Sequence, residues 1–381
     1  MLILHAKGVF IIVIKRFSLT LFVGCVILTQ ILFYYVCKMH KEKNMEVNTK
    51  KRIGKFFKTF FKTIAIILAI LLVIAGALLA LVKHEWKDTY KKYDTENKYI
   101  VEYKDTMVSA HRSGRGIFPE NTMMAIEGCL NAEDYEIDVF EFDLHITGDG
   151  ELIILHDGTL DRTTDAVEYF GKEEIRPEDY TYEELRVLNF GENFETDDGE
   201  MPYKGLRGED IPDNLRVAKL ADVLTYIQSK GDYDYIIEIK NSMDLGYKAA
   251  DELYRVLSDL NLVDKVVVGT FNEEVSEYLD DNYPEISRSA SQNEVILIYA
   301  LSLFGIKTPD SVLKFDALQI PMERYGLNLA NAHFVNYAHK HDLAVQYWTI
   351  NDEDDMRLLQ EIGADCIMSD VPDVAYKIYN E

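Results

Sequence analysis

Two kinds of hydrophobic pattern divide the chain. Residues 63–82 run for twenty positions without a charged side chain, the length a helix needs to cross a bilayer. A soluble helix of that length keeps a polar face, so the run predicts a transmembrane helix. Ala75-Gly76-Ala77 resembles a signal-cleavage site, but the apolar stretch 78–82 follows directly, which argues against removal. A second uncharged run, 17–37, is long enough to span as well, although Gln30 and several Thr and Tyr dilute it. It reads either as a second membrane helix or as translation begun upstream of Met45, which itself opens a short basic leader.

Residues 83–98 are polar and rich in Lys, Asp and Tyr, the composition of a stalk, and a folded domain is expected over 99–381. There the pattern changes to short runs of Val, Ile and Phe separated by longer amphipathic stretches, as repeated β-α units require. Strands are predicted at 107–111, 139–143, 235–239, 265–269, 287–290, 316–320, 343–347 and 365–368. Helices are predicted at 122–130, 249–260, 329–341 and 352–362. Eight such strands imply an α/β fold, an eight-stranded β/α (TIM) barrel. The gap at 144–234 exceeds an ordinary connection and is read as an insertion after strand 2. Within it, Phe170, Phe194 and Tyr203 are expected either to cap the barrel mouth or to form a small local core.

Charge separates the same two regions. Up to Lys98 there are 17 basic against 6 acidic residues, and after it 23 against 59. Nine basic residues, Lys38, Lys41, Lys43, Lys50, Lys51, Arg52, Lys55, Lys58 and Lys62, precede the 63–82 helix and keep that side cytoplasmic, so residues 1–62 are expected to be a cytoplasmic N-terminal segment, with 17–37 as its possible first membrane helix, and the domain is expected outside. An acidic domain does not suit nucleic acid, which needs a positive surface. Cys25 and Cys37 fall in the first apolar run, which leaves Cys129 and Cys366 in the domain without a disulfide framework or zinc spacing. Both are expected to be buried and inert.

Polar residues then gather at the carboxyl ends of the first three strands, where barrels build their sites: His111, then Glu141 and Asp143, then Glu238 and Lys240. Residues two apart on a strand share a face, so three carboxylates converge on the mouth. They repel one another unless a cation intervenes, and hard oxygen donors select Mg2+ or Ca2+. His111 and His156 titrate near neutrality and suit an acid and base pair.

These residues lie in blocks that resemble the glycerophosphodiester phosphodiesterase family: His111-Arg112, Pro119-Glu120-Asn121-Thr122, Glu141-Phe142-Asp143, Thr147-Gly148-Asp149-Gly150, His156-Asp157 and Leu160-Asp161-Arg162-Thr163-Thr164. Glu238-Ile239-Lys240, Trp348-Thr349 and the block from Gly363 to Asp370 match later blocks, so the resemblance covers nearly all of 107–376. Ser113 interrupts the usual His-Arg-Gly opening, and Ser369 replaces the usual threonine before Asp370. The resemblance implies Glu141, Asp143 and Glu238 as ligands of one divalent cation, His111 and His156 as catalytic residues, and Arg112 and Lys240 on the phosphate. Trp348 is expected to pack on glycerol carbons or simply on the barrel rim.

The implied reaction cleaves glycerophosphodiesters to glycerol 3-phosphate and an alcohol, by attack of water or of the substrate's own neighbouring hydroxyl. Head-group diesters or polyglycerol-phosphate (teichoic-type) polymers outside a membrane are the first substrates expected, with lysophospholipids also within reach. The alternatives are a lysophospholipase D or sphingomyelinase D relative, and a non-catalytic phospho-polymer binding module. Nothing in the sequence fixes an oligomeric state. Finally, Asp149-Gly150 predicts a two-residue turn. Pairing Gly148 with Glu151 would set Asp143 directly across from His156.

Overall fold

The computed structural model describes residues 47–82 and 84–380. The helix Val47–Val82 contains the predicted run 63–82 and begins well upstream of it. Among the described residues it is the one helix long and apolar enough to cross a membrane, over Gly54–Val73. The run 17–37 with Cys25 and Cys37, the lysines at 38, 41 and 43, and Met45 lie outside the described residues. The helix and the domain after it are separate compact units.

The domain is a nearly closed parallel β/α barrel. Its strands are β1 (Met107–Ala110), β2 (Val139–Ile146), β3 (Leu152–Ile154), β4 (Asp234–Ile239), β5 (Val266–Gly269), β6 (Ala317–Ile320), β7 (Ala344–Trp348) and β8 (Cys366–Ser369). The spatial order is β5-β4-β2-β1-β8-β7-β6, with β3 lying antiparallel beside β2. The strand predicted at 287–290 is reduced to two bridges, Val268 with Arg288 and Ser289 with Ala317, which join the two open edges. Ser287, Ser289 and Ser291 supply none of the branched side chains that favour a longer ladder. Outward-facing Phe140, Phe142, Leu144, Ile237 and Ile239 pack under the helices, while Val139, Ile236, Cys366 and Met368 fill the interior. Cys129 and Cys366 are free and buried, and burial pushes the Cys129 thiol up to about 12.

The four predicted helices appear at Met123–Leu130, Met243–Leu260, Ala332–His339 and Glu353–Ile362. Three of their starts use side-chain caps: the Thr122 hydroxyl accepts from Ala125 N–H, the Asn331 side-chain oxygen from Phe334 N–H, and the Asp352 carboxylate from Asp354 and Asp355 N–H. Gly363, at φ +85°, closes the last of the four in the left-handed conformation that glycine adopts without strain.

Residues 86–98, whose composition reads as a stalk, lie against the barrel. They run beside the helix Ala332–His339 from its first turn to its end. The Trp86 ring stacks on His333 at 3.6 Å, and Asp88 pairs with the same imidazole at 2.9 Å. Asn336 accepts from Lys91 N–H at 2.7 Å and donates to the Thr89 carbonyl at 2.8 Å. Asn97 donates to the Asp316 and Asp342 carbonyls below the strand starts. Tyr99 then closes the barrel floor against Val267, Ala317 and Ala344.

The insertion builds its own core from Ile153, Leu160, Ile175, Tyr182, Leu185, Leu188 and Phe190. Phe170 packs against that core, and Phe194 pairs with Tyr203 at 6.1 Å, so the local-core reading of Phe170 is the one observed. The hairpin register differs from expectation. Leu144, His145 and Ile146 oppose Ile154, Ile153 and Leu152, so Asp143 meets Leu155, whose N–H donates to the Asp143 backbone carbonyl at 2.8 Å. The loop has three residues, closed by Thr147 N–H to the Glu151 carbonyl, with Gly150 at φ +90°. Gly148 is unavailable for pairing because its N–H donates to the Tyr180 carbonyl of the insertion at 2.7 Å. Packing against the insertion thus overrides the dipeptide's preference for a two-residue turn.

Candidate active site

Strand ends and the turns after them bring the predicted residues together at the barrel mouth. β1 ends at Ala110, and the chain turns through His111–Ser113 with Arg112, Ser113 and Gly114 all at positive φ. Ser113 thus occupies a conformation that suits glycine, which is the physical content of its departure from the family opening. The turn aims Arg112 N–H at Glu141, which accepts at 2.6 Å. Asn121, also at positive φ, donates to Asp143 at 3.2 Å.

Glu141 and Asp143 share the inner face of β2, and Glu238 stands beside them in register, since Asp143 pairs with Glu238 across β2 and β4. The Lys240 ammonium bridges Asp143 at 2.9 Å and Glu238 at 2.8 Å, and Arg112 Nε lies 3.6 Å from Asp143. Burial and the neighbouring Asp143 charge raise the Glu141 carboxyl well above its usual range. Burial likewise raises Glu238. Asp143 goes the other way: burial opposes its ionisation, but Lys240, His156 and Arg112 outweigh it. The buried cluster therefore sets three carboxyl groups against two cationic side chains, and the raised pKa values of Glu141 and Glu238 register the mutual repulsion and burial.

Among the described residues no group of three or more His, Cys, Asp or Glu side chains forms a ready ligand cage. The Lys240 ammonium draws two of the three carboxylates to itself. The donors nevertheless fit a hard divalent ion: all three are carboxylates, two are buried, and an ammonium already serves as their cation.

Each imidazole is oriented through one nitrogen. His111 Nδ1 lies 2.6 Å from Asp370 Oδ1, and Asp370 also accepts from Arg115 Nε at 2.7 Å and Asn351 Nδ2 at 2.8 Å. Burial lowers the His111 pKa, with Asp370 partly offsetting it. His156 Nδ1 lies 2.7 Å from Asp157 Oδ1. Arg162 links Asp157 at 2.6 Å to Glu120 at 2.7 Å, and Arg112 reaches the same Glu120 at 3.2 Å. No hydrogen bond joins His156 to Asp143, although their charges interact.

Asp370 and the Glu120–Arg162–Asp157 chain were not among the residues singled out for chemistry. They stand inside the sequence blocks quoted above, and a strand-end carboxylate following β8 was the available signal. His145 was also missed. It lies on the Asp143 face of β2 and is buried, and burial lowers its pKa to about 4. Trp348, at the end of β7, is half-buried against the interior residues and meets Phe271 edge-on at 5.9 Å.

Residues 111–374 match the model of the glycerophosphoryl diester phosphodiesterase family, and the chain belongs to that family: it is a phosphoric diester hydrolase of the glycerophosphodiester type. A glycerophosphodiester phosphodiesterase of Bacillus altitudinis is 27% identical over 280 residues, covering 72% of this chain and 99% of its own. Lysophospholipase D GDPD1 of Mus musculus is 24% identical, over 69% of this chain and 82% of its own. The Oleispira antarctica phosphodiesterase solved with sn-glycerol-3-phosphate shares the fold with a TM-score of 0.54 at 22% identity, covering 72% of this chain and 97% of that one. The glycerophosphoryl diester phosphodiesterase domain from Mycobacterium tuberculosis does so at 0.57 and 20%, covering 72% and 98%.

Proposed function

We propose that this enzyme hydrolyses glycerophosphodiesters to glycerol 3-phosphate and an alcohol with one divalent cation, Mg2+ or Ca2+, held by Glu141, Asp143 and Glu238, and does so at the outer face of the membrane that anchors it. The observation that carries this reading is the Lys240 ammonium shared by Asp143 and Glu238 beside buried Glu141. It marks a place built for positive charge. A bound cation would neutralise the carboxylates and stabilise charge on the phosphoryl oxygens.

Arg112 and Lys240 bind the phosphate, Arg112 as a planar fork and Lys240 as a point charge. With Nδ1 engaged by Asp370, His111 works through Nε2, and the burial that lowers its pKa keeps it neutral and ready to accept a proton. It removes the proton of the attacking oxygen, whether from water or from the substrate's neighbouring hydroxyl. His156, its Nδ1 held by Asp157, donates from Nε2 to the departing alkoxide. Trp348 packs on the glycerol carbons.

The test offers glycerophosphocholine, glycerophosphoglycerol, lysophosphatidylcholine and a teichoic-type polymer to the full chain, with and without chelator. Turnover lost in chelator and restored by Mg2+ or Ca2+ is expected, and full turnover in metal-depleted buffer removes the metal assignment. Glu141→Ala and Asp143→Ala should then abolish turnover while the barrel stays folded. A lysophospholipase D relative would prefer the lipid, as the name of the mouse protein suggests. Protease shaving of intact cells checks topology: residues after Lys83 should be cleaved without opening the membrane.

A further inference from the structure

The helix Gln292–Leu303 is built inside out for a soluble protein. Its first turn carries Gln292, Asn293 and Glu294, but residues 295–306 contain no charge. Ile298, Tyr299 and Ser302 are buried against the barrel. The side that faces away bears Ile296, Leu297 and, just past the end, Phe304 and Ile306, which are 49%, 41%, 56% and 51% exposed. Half-buried Ala300, Leu301 and Leu303 fill the space between them. Leu297, Leu301 and Phe304 follow the i, i+4, i+7 spacing of one helical stripe. A helix apolar on every side normally lies in a core or in lipid, and clustered exposed apolar side chains mark a contact surface.

The stretch 86–98 identifies what covers this surface. It begins at Trp86, stacked on His333, and the other ring nitrogen of His333 lies 3.1 Å from the Ser302 carbonyl of the apolar helix. The C-terminal end of the apolar helix, two residues before Phe304, therefore borders the point where the chain reaches the barrel. Four peptide steps separate Val82, the end of the membrane-length helix, from Trp86, a span of at most about 14 Å fully extended. So short a connection keeps the end of this helix within reach of the lipid surface.

We propose that Ile296, Leu297, Phe304 and Ile306 form a docking face for the lipid surface of the anchoring membrane, so that the enzyme works on phosphodiesters carried in that membrane. The inference rests on the membrane-anchor reading above. The absence of charge from 295 to 306 lets this face approach lipid although the domain as a whole is acidic. An apolar helical face settles ~5–10 Å into the headgroup boundary.

The test uses the full chain in phosphatidylcholine vesicles, with Cys25 and Cys37 replaced by Ser and an environment-sensitive dye on Phe304→Cys or, as a control elsewhere on the barrel, Lys230→Cys. Dye at 304 should shift to the blue and be quenched at least about twofold more by headgroup spin-labelled lipid than dye at 230. The triple variant Ile296→Asn, Leu297→Asn, Phe304→Asn should lose about tenfold on vesicle-borne lysophosphatidylcholine while keeping its rate on dissolved glycerophosphocholine. Equal lipid quenching at 304 and 230 overturns the proposal. So does a blue shift that grows with protein concentration without lipid quenching, the mark of a second copy on the same face. If the triple variant loses both activities it has misfolded, and the dye decides. Carbonate extraction tests the anchor alone: a chain stripped from vesicles refutes the anchor and the docking together, whereas a retained chain with unquenched dye refutes only the docking.

Discussion

Replacing Asp370 with Asn removes one negative charge and changes few atoms, which makes it the sharpest probe of His111. In the wild-type site His111 Nδ1 faces Asp370 Oδ1 at 2.6 Å, and Arg115 and Asn351 hold the same carboxylate in place. Burial opposes ionisation of Asp370, but the His111 and Arg115 hydrogen bonds prevail and hold it below the usual carboxylate range. The carboxylate fixes the tautomer that leaves Nε2 free to accept a proton, and it stabilises the imidazolium formed during attack. An Asn amide can present its NH2 to Nδ1 and favour the wrong tautomer. General-base catalysis is worth ~10²–10⁴-fold, so D370N should lower kcat by roughly 10²–10³-fold, or about 2.7–4 kcal/mol of transition-state stabilisation. Because Asp370 raises the His111 pKa against the lowering effect of burial, its loss should also move the acid limb of the kcat/KM profile to lower pH. The assay is glycerol 3-phosphate release from glycerophosphocholine between pH 4.5 and 9, with thermal unfolding alongside. A folded variant within about threefold of wild type, or an unmoved acid limb, would refute the assignment of His111 as the base oriented by Asp370.

If His156 protonates the leaving group, His156→Ala should slow alkyl diesters far more than an activated aryl ester, and equal losses on both contradict the role. His145 gives a stability prediction. Its pKa is lowered to about 4 in the fold, so the unfolded chain binds the extra proton and stability falls as pH drops from the unfolded value near 6.5 through the folded one. The shift corresponds to about 3 kcal/mol at the acid end. Urea unfolding in chelator should show His145→Gln losing less stability than wild type between pH 7 and 4.5, and parallel curves would count against a buried neutral imidazole.

The barrel was legible because its strands are short, branched and bounded, so seven of the eight predicted runs reappear as ladders with ends displaced by a residue or a few. The run at 287–290 is the exception, since its serines give little side-chain packing and it survives only as bridges. The Glu141, Asp143, Glu238 and Lys240 cluster was legible for a related reason: period-two alternation on parallel strands fixes which side chains share a face. Contacts set by tertiary packing were not legible. Gly148 gives its N–H to Tyr180, 32 positions along, and the hairpin shifts by one residue as a result. Asp370 reaches His111 only because β8 closes beside β1, an adjacency that local pattern does not encode. The helix beginning at Val47 rather than near 63 reflects basic residues that continue a helix as readily as apolar ones do.

The ionic chain from Arg112 through Glu120, Arg162 and Asp157 to His156 makes one machine of two separately packed bodies. The barrel supplies His111 and the carboxylates, while His156 stands where the β3 hairpin passes into the insertion, and each body has its own hydrophobic core. Their alignment is keyed by a few charged contacts between 2.6 and 3.2 Å. Insertion residues that touch neither this key nor the Tyr180 contact that sets the hairpin register can change without moving either imidazole. A change at Glu120, by contrast, would loosen both halves of the site at once.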